Sequence, residues 1–141
     1  MRRRLILFLG IMIFCMGCSR SVSKEDLDHL NGYWEIAKVT FPDGNTKEYT
    51  VNTSVDFIML EDLKGYRKKM QPNLTGTYRT SDDAEAFTIK EEGGALWINY
   101  KSELSEWSER LERLEQNAFS VTNEEGIRYD YKRFQPISIK Q

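Results

Sequence analysis

From residue 33 onward, short runs of β-branched and aromatic residues alternate with turn-forming residues. Pro42-Asp43-Gly44-Asn45 ends the first run, and Gly93-Gly94 and Glu124-Glu125-Gly126 separate later ones. The runs are 33–41, 47–51, 55–60, 65–70, 74–80, 87–91, 95–101, 118–123 and 127–134, with a debatable segment at 103–116. Runs about ten residues apart, joined by such turns, predict an all-β, antiparallel sandwich or barrel of about eight to ten strands.

A short helix is predicted ahead of the first strand. Ser23 is followed by the polar, acidic stretch 24–30, in which Leu27 and Leu30 recur at helical spacing. A serine before such a stretch is typical of a helix N-cap. We therefore expect one or two helical turns with both leucines facing inward, and His29 at the surface.

Segment 103–116 fits two patterns. Leu104, Trp107, Leu111 and Leu114 recur at intervals of three and four residues, which favours an amphipathic helix. The segment also lies between predicted strands joined by short turns, and Gln116-Asn117 suits a hairpin corner, which favours a strand. The local pattern alone favours the helix.

The first strand contains a break in alternation. Trp34 and Ile36 belong to one face, whereas Ala37, Val39 and Phe41 belong to the other. A β-bulge or strong bend near Ile36-Ala37 would let apolar residues on both sides of the break face the core.

The N-terminus has the pattern of a bacterial secretion signal. Arg2-Arg3-Arg4 precedes an apolar run, 5–16, that spans only about 18 Å as a helix, against a hydrocarbon core of about 30 Å. Cys15-Met16-Gly17-Cys18 resembles the lipobox of bacterial lipoproteins, with Cys15 where that motif usually has leucine. The resemblance implies cleavage after Gly17 and acylation of Cys18 by diacylglycerol and a further chain such as palmitate. An ordinary signal peptide cut near Ser19 and an uncleaved anchor are the alternatives.

This interpretation divides the chain into a lipoprotein signal peptide (1–17), a lipidated tether (18–23) and a single β-barrel domain (24–141). The full chain of 141 residues carries 20 basic and 22 acidic residues. Removing 1–17 leaves 17 basic and 22 acidic residues, a net charge of −5. An acidic chain of this kind argues against a nucleic-acid partner.

Composition also limits the chemistry. One histidine and two N-terminal cysteines exclude most zinc sites and most histidine-dependent catalysis. The acidic groups near 82–85, 91–92 and 124–125 fall at predicted turns and lack calcium-loop spacing. We expect no catalytic residue, no metal and no cofactor, and we expect Arg67-Lys68-Lys69 to lie on an exposed strand edge.

Two terminal motifs resemble the lipocalin-like lipoproteins of Bacteroidetes-type bacteria. Gly32-Tyr33-Trp34 after the short helix resembles the Gly-x-Trp entry of the lipocalin superfamily, and Tyr129–Phe134 resembles the closing strand of the small lipoproteins. The resemblance implies an up-and-down β-barrel in which Gly32, Trp34 and Arg133 close one end. It also makes 107–114 a strand, while the strand order in 43–72 stays open.

The same resemblance suggests an interior that binds a small hydrophobic molecule. The candidate lining residues are Tyr66, Tyr78, Trp97, Tyr129 and Tyr131. A packed barrel core is the alternative, and it would fit an envelope module that docks a protein partner. Either way, we expect a non-enzymatic protein anchored by lipid in the bacterial envelope, at the outer membrane. Whether it faces the periplasm or the cell surface, and which ligand it binds, stay open.

Overall fold

The computed structural model describes residues 21–72, 78–80 and 83–135, which form one short 3₁₀ helix and ten strands. The helix is Lys24–Leu30. The strands are β1 (Gly32–Thr40), β2 (Thr46–Glu48), β3 (Val55–Glu61), β4 (Lys64–Pro72), β5 (Tyr78–Thr80), β6 (Glu85–Glu92), β7 (Ala95–Lys101), β8 (Glu106–Leu114), β9 (Ala118–Asn123) and β10 (Arg128–Arg133). Within these ranges no helix is long and apolar enough to cross a membrane.

The strands close into an antiparallel barrel with eight strand positions. Neighbours follow the order β1-β3-β4-β6-β7-β8-β9-β10, and β10 pairs with β1 to close the ring. At two positions of the ring, two strands follow one another along the edge of the same neighbour, and one of each two is only three residues long. Strands β2 and β3 pair with opposite ends of β1, and β5 and β6 pair with opposite ends of β4. The predicted all-β barrel with a short N-terminal helix is confirmed.

Strand β8 resolves the ambiguity of segment 103–116 in favour of a strand. Trp107 and Leu111 lie opposite Tyr100 and Leu96 of β7, and a bulge follows between Leu111 and Arg113. Because the bulge resets the alternation, Leu114 faces inward three residues after Leu111. The helical spacing therefore comes from a bulged strand. Leu104 does not belong to the apolar face, since it is 97% exposed in the preceding turn.

Strand β1 carries the bulge that the sequence predicts. Its register against β10 shifts between Ile36 and Lys38, so that Trp34 faces the interior before the shift and Val39 faces it afterwards. The shift increases the bend of β1, which helps the sheet to close on itself.

The apolar core occupies the end of the barrel nearest the helix. Ser23 caps the helix by accepting a hydrogen bond from the Glu25 amide, and Leu27 and Leu30 are buried against the barrel. Trp34 is fully buried, donates through Nε1 to the Leu30 carbonyl at 2.8 Å and meets Phe119 edge to face. The helix thus plugs one end of the barrel.

Arg133 fastens this plug. Its guanidinium lies 3.8 Å from the centre of the Trp34 ring and donates to the carbonyls of Asn31, His29 and Gln116. Gly32 makes room for it: a Cβ at this position would lie 2.6 Å from Arg133 Nη1, and the backbone φ of +120° also favours glycine. The arrangement links the helix, the first strand and the last strand.

Candidate functional site

The barrel interior changes from apolar to polar toward the end opposite the helix, which we call the distal end. Strand β3 begins there, β7 ends there, and the β7–β8 and β9–β10 turns form its rim. Five polar side chains meet inside this half, and we call them the interior polar cluster. They are Asp56, Arg67, Tyr100, Glu109 and Tyr131.

Strand register places these side chains inside the barrel. Arg67 pairs with Ile58 across β3 and β4, and Glu109 pairs with Ile98 across β7 and β8. Both isoleucines are 2% exposed in the core. Because directly opposed residues point to the same face of a sheet, Arg67 and Glu109 point inward as well.

Arg67 is the centre of the cluster. Its Nη2 donates to Asp56 Oδ2 and to the Tyr131 hydroxyl, each at 2.7 Å, and its Nη1 donates to the Tyr100 hydroxyl at 3.2 Å. The guanidinium carbon also lies 5.0 Å from the centre of the Tyr131 ring. The Arg67 side chain is only 11% exposed, so these are charge-assisted contacts in a largely dry environment.

Glu109 is held less completely. Its Oε2 lies 3.9 Å from Arg67 Nη1, which is too long for a hydrogen bond, and no described residue donates to this buried oxygen. The residue is 9% exposed. Among the described residues, Arg67 is thus the cation paired with Glu109, at a distance too long for a hydrogen bond, and the Tyr100 hydroxyl also acts on this carboxylate.

The protonation of the cluster follows from this arrangement. Burial raises the pKa of Glu109, and the charge of Arg67 only partly opposes that rise. Burial alone would lower the pKa of Arg67, but the surrounding phenols and carboxylates hold it well above its ordinary value. Burial likewise raises the pKa of the Tyr100 and Tyr131 hydroxyls. Arg67 is therefore a permanent cation, and the raised pKa of Glu109 means that its carboxylate takes up a proton more readily than an exposed glutamate does.

Aromatic side chains flank the cluster toward the rim. Trp107 stacks on Tyr100 with ring centres 5.0 Å apart, and Tyr129 packs against the core from β10. Both Trp107 and Tyr129 are only partly buried. The distal half therefore combines a buried carboxylate with aromatic walls that reach the surface.

Two of the predicted lining residues belong to this region. Tyr131 is part of the interior polar cluster, and Tyr129 faces inward beside Val121, its partner on β9. Tyr78 lies in β5, and its side chain is outside the described part of the structure. Cys18 also lies outside the described residues.

The other two residues lie on the outer face, so the predicted set does not line one cavity. Trp97 alternates with the buried Leu96 and Ile98, and its Nε1 donates to the Glu92 carbonyl at 3.4 Å. Tyr66 alternates with the inward-facing Arg67 and contacts Phe57 on the outside of the barrel. The prediction is wrong for these two residues because alternation along the strand, and not aromatic character, decides which side chains face inward.

The same parity error hid the residues that do meet inside. The expectation that Arg67-Lys68-Lys69 lies on an exposed edge is wrong for Arg67, since β4 is paired on both sides, with β3 and with β6. Asp56 had no signal of its own. Glu109 does have a sequence signal. If 107–114 is a strand, alternation puts Glu109 on the same inward face as Trp107 and Leu111.

An open groove of about 830 Å³ crosses strands β6, β7 and β8 on the outer surface. Outward-facing residues such as Thr88, Asn99 and Ser108 line most of it, and Tyr100 and Trp107 also contribute to its lining. Charges of both signs border it, and Lys101 pairs there with Glu106 at 2.9 Å. Because these charges are exposed and satisfy one another, the groove gives less reason to expect a specific ligand than the buried cluster does.

Comparisons with known proteins add little to this description. No family model matches the sequence, and no curated protein matches it. Among solved structures, a lipocalin-like protein from Bacteroides uniformis matches over 75% of this chain and 99% of its own length, with 12% identity and a TM-score of 0.48. The function must therefore be argued from the residues of this chain.

Within the described ranges no group of three His, Cys, Asp or Glu residues is arranged to hold a metal ion.

Proposed function

We propose that this protein is a non-enzymatic binding protein that takes a small ligand into the distal half of its barrel. The observation that carries the proposal is the buried carboxylate oxygen of Glu109, which no described residue satisfies. The ligand would have an apolar body, which the half-buried rings of Trp107 and Tyr129 can cover, and a polar group that reaches the cluster.

Energetics support a binding role over a purely structural one. A buried polar atom without a partner costs about 1–3 kcal/mol, and a barrel selected for stability alone could fill this space with apolar side chains. Charged and polar residues that are buried in an otherwise apolar core are concentrated at functional sites. Small barrels are also a common architecture for enclosing one small ligand.

The test is saturable uptake of a neutral aromatic probe. N-phenyl-1-naphthylamine should bind the domain at micromolar concentration, about −8 kcal/mol at 1 μM. Tyr129→Ala should weaken uptake, because it removes part of the inner wall. Tyr66→Ala is the matched control on the outer face and should leave uptake unchanged. Absence of saturable uptake, or equal effects of the two variants, would contradict the proposal.

A second function is favoured by the outer face of the barrel. Tyr33, Phe57 and Tyr66 form an outer aromatic strip, with ring centres 4.9 Å and 6.1 Å apart, and Met59 beside it is 43% exposed. An apolar strip of this kind suits an envelope protein that docks a protein partner. Under that alternative, Phe57→Ser should abolish crosslinking to the partner in native membranes. The wild-type protein should then show no saturable uptake of N-phenyl-1-naphthylamine.

The location proposed for this function is the bacterial envelope, with the domain anchored at the outer membrane through lipid on Cys18. Support comes from the basic residues, the short apolar run and the lipobox-like Cys15-Met16-Gly17-Cys18. Wild-type protein should incorporate labelled palmitate and sediment with membranes, and Cys18→Ser should lose the label. Retention of the label by Cys18→Ser, or its loss only with Cys15→Ser, would exclude this anchor.

A further inference from the structure

Glu109 also indicates which chemical group the ligand brings. We propose that the ligand carries a protonated amine and that the Glu109 carboxylate is its counter-ion. This inference rests on the proposed function, because it specifies the polar group of the molecule bound in the distal half of the barrel.

The charges inside the cluster support a cation. Within the five-residue cluster, Arg67 contributes one positive charge, and Asp56 and Glu109 contribute two negative charges when both are ionised. Lys69 lies opposite Asp56 on the same face, but its side chain is exposed and it is not a member of the cluster. Arg67 is bound at 2.7 Å by Asp56 and by the Tyr131 hydroxyl, and it lies 3.9 Å from Glu109. Arg67 is thus hydrogen-bonded to Asp56 and paired only at longer range with Glu109. An added ammonium group would balance the remaining charge and donate to the carboxylate of Glu109.

Among the described residues, the groups other than Arg67 that act on Glu109 are neutral or negative. Ile98 and Asn123 lie opposite it on β7 and β9, and Tyr100, Tyr129 and Tyr131 approach it from β7 and β10. Glu85 on β6 adds a second negative charge that acts on Glu109. Apart from Arg67, none of these described neighbours supplies a cation. A carboxylate or phosphate ligand would face these negative groups and is disfavoured.

The walls of the site also suit an ammonium ligand. Trp107 and Tyr129 present partly exposed aromatic rings toward the rim. Aromatic faces attract organic cations and cover the apolar part of the same molecule. A carboxylate set among aromatic rings therefore fits an aryl- or alkylamine better than a neutral alcohol of the same shape.

Three probes of one shape test the inference by calorimetric titration at pH 7. They are 2-phenylethylamine, which is a cation, 2-phenylethanol, which is neutral, and phenylacetate, which is an anion. The amine should bind about tenfold more tightly than the alcohol or better, and the anion should bind most weakly. Glu109→Gln should remove the advantage of the amine while changing the affinity for the alcohol about twofold or less.

Glu106→Gln provides the control variant. Glu106 lies on the same strand, on the outer face, and pairs with Lys101, so this variant should keep the wild-type preference. Thermal unfolding of both variants establishes that each is folded under the conditions of the titration. Equal affinity for amine and alcohol, or an unchanged amine preference in Glu109→Gln, would overturn the inference and leave the proposed function intact. Absence of binding for all three probes and for N-phenyl-1-naphthylamine would overturn both.

Discussion

Replacement of Arg67 by methionine should destabilise the protein strongly, although the new side chain is apolar and of similar length. The change removes the donor that Asp56 Oδ2 and the Tyr131 hydroxyl share at 2.7 Å, and it removes the cation nearest to Glu109. Asp56 and Glu109 are 8% and 9% exposed, so water cannot readily replace the guanidinium. Breaking a buried ion pair by removing one partner costs about 3–5 kcal/mol.

Urea unfolding of the soluble domain measures this cost. With an m-value of about 2 kcal/mol per M, the midpoint should fall by about 2 M. Adding Asp56→Asn to Arg67→Met should recover part of the loss, because the double variant no longer buries that unpaired carboxylate. The effects of the two substitutions on the free energy of unfolding should therefore not add, as is expected for residues in contact.

Lys68→Met is the matched control, since Lys68 is the next residue on the same strand and lies on the outer face over the Tyr66 ring, 5.7 Å from its centre. It should cost about 1 kcal/mol or less. Similar midpoints for Arg67→Met and Lys68→Met would refute the argument, because they would mean that the Arg67 contacts contribute no more than an exposed cation does.

Three further predictions concern the barrel plug and Glu109. Arg133→Ala should cost about 1–3 kcal/mol in chemical unfolding, because it loses the contact with Trp34 and leaves three backbone carbonyls uncapped. Lys132→Ala loses only a partly exposed ion pair and should cost about 0.5 kcal/mol or less; equal losses would contradict the plug. Gly32→Ala should cost about 1–3 kcal/mol, since it forces a side chain into a positive φ beside Arg133, and unchanged stability would argue against this geometry. The pKa of Glu109 is raised on folding, so its ionisation lowers stability as pH rises above about 4.5. Glu109→Gln should therefore gain stability relative to wild type at pH 8 and lose that gain at pH 4, and a pH-independent difference would contradict the assignment.

Architecture could be predicted from the sequence because it depends on features repeated along the chain. Turn residues mark the hairpins from 85 onward, and the break in alternation after Ile36 indicates a bulge. The paired positions of Trp34 and Arg133 were suggested by the terminal motifs. These features are local, so no knowledge of the remaining strands is needed to recognise them.

The interior polar cluster could not be predicted in the same way. Arg67 and Asp56 come from neighbouring strands of the closed sheet, and Tyr131 comes from β10, so their meeting depends on the register of the whole barrel. A slip of one residue in register reverses the face of every side chain in a strand. The predicted inward positions of Tyr66 and Trp97 are wrong because aromatic character does not determine the face on which a side chain lies. Strand β4 is especially ambiguous, because Tyr66 and Met70 suggest the opposite parity to that observed.

The indole signals of the three tryptophans test the central claim most directly, because each one lies in a different part of the barrel. Trp107 lies in the distal half, Trp34 in the plug beside the helix and Trp97 on the outer face. The indole signals can be recorded in ¹H–¹⁵N spectra of the domain and assigned with tryptophan-to-phenylalanine variants. One sample receives saturating 2-phenylethylamine and a second receives saturating 2-phenylethanol. Each probe should shift the Trp107 signal and leave the signals of Trp34 and Trp97 in place. A shift confined to Trp97, a Trp107 shift that is unchanged in Tyr129→Ala, or no shift of any indole with either probe would contradict a ligand site inside the distal barrel.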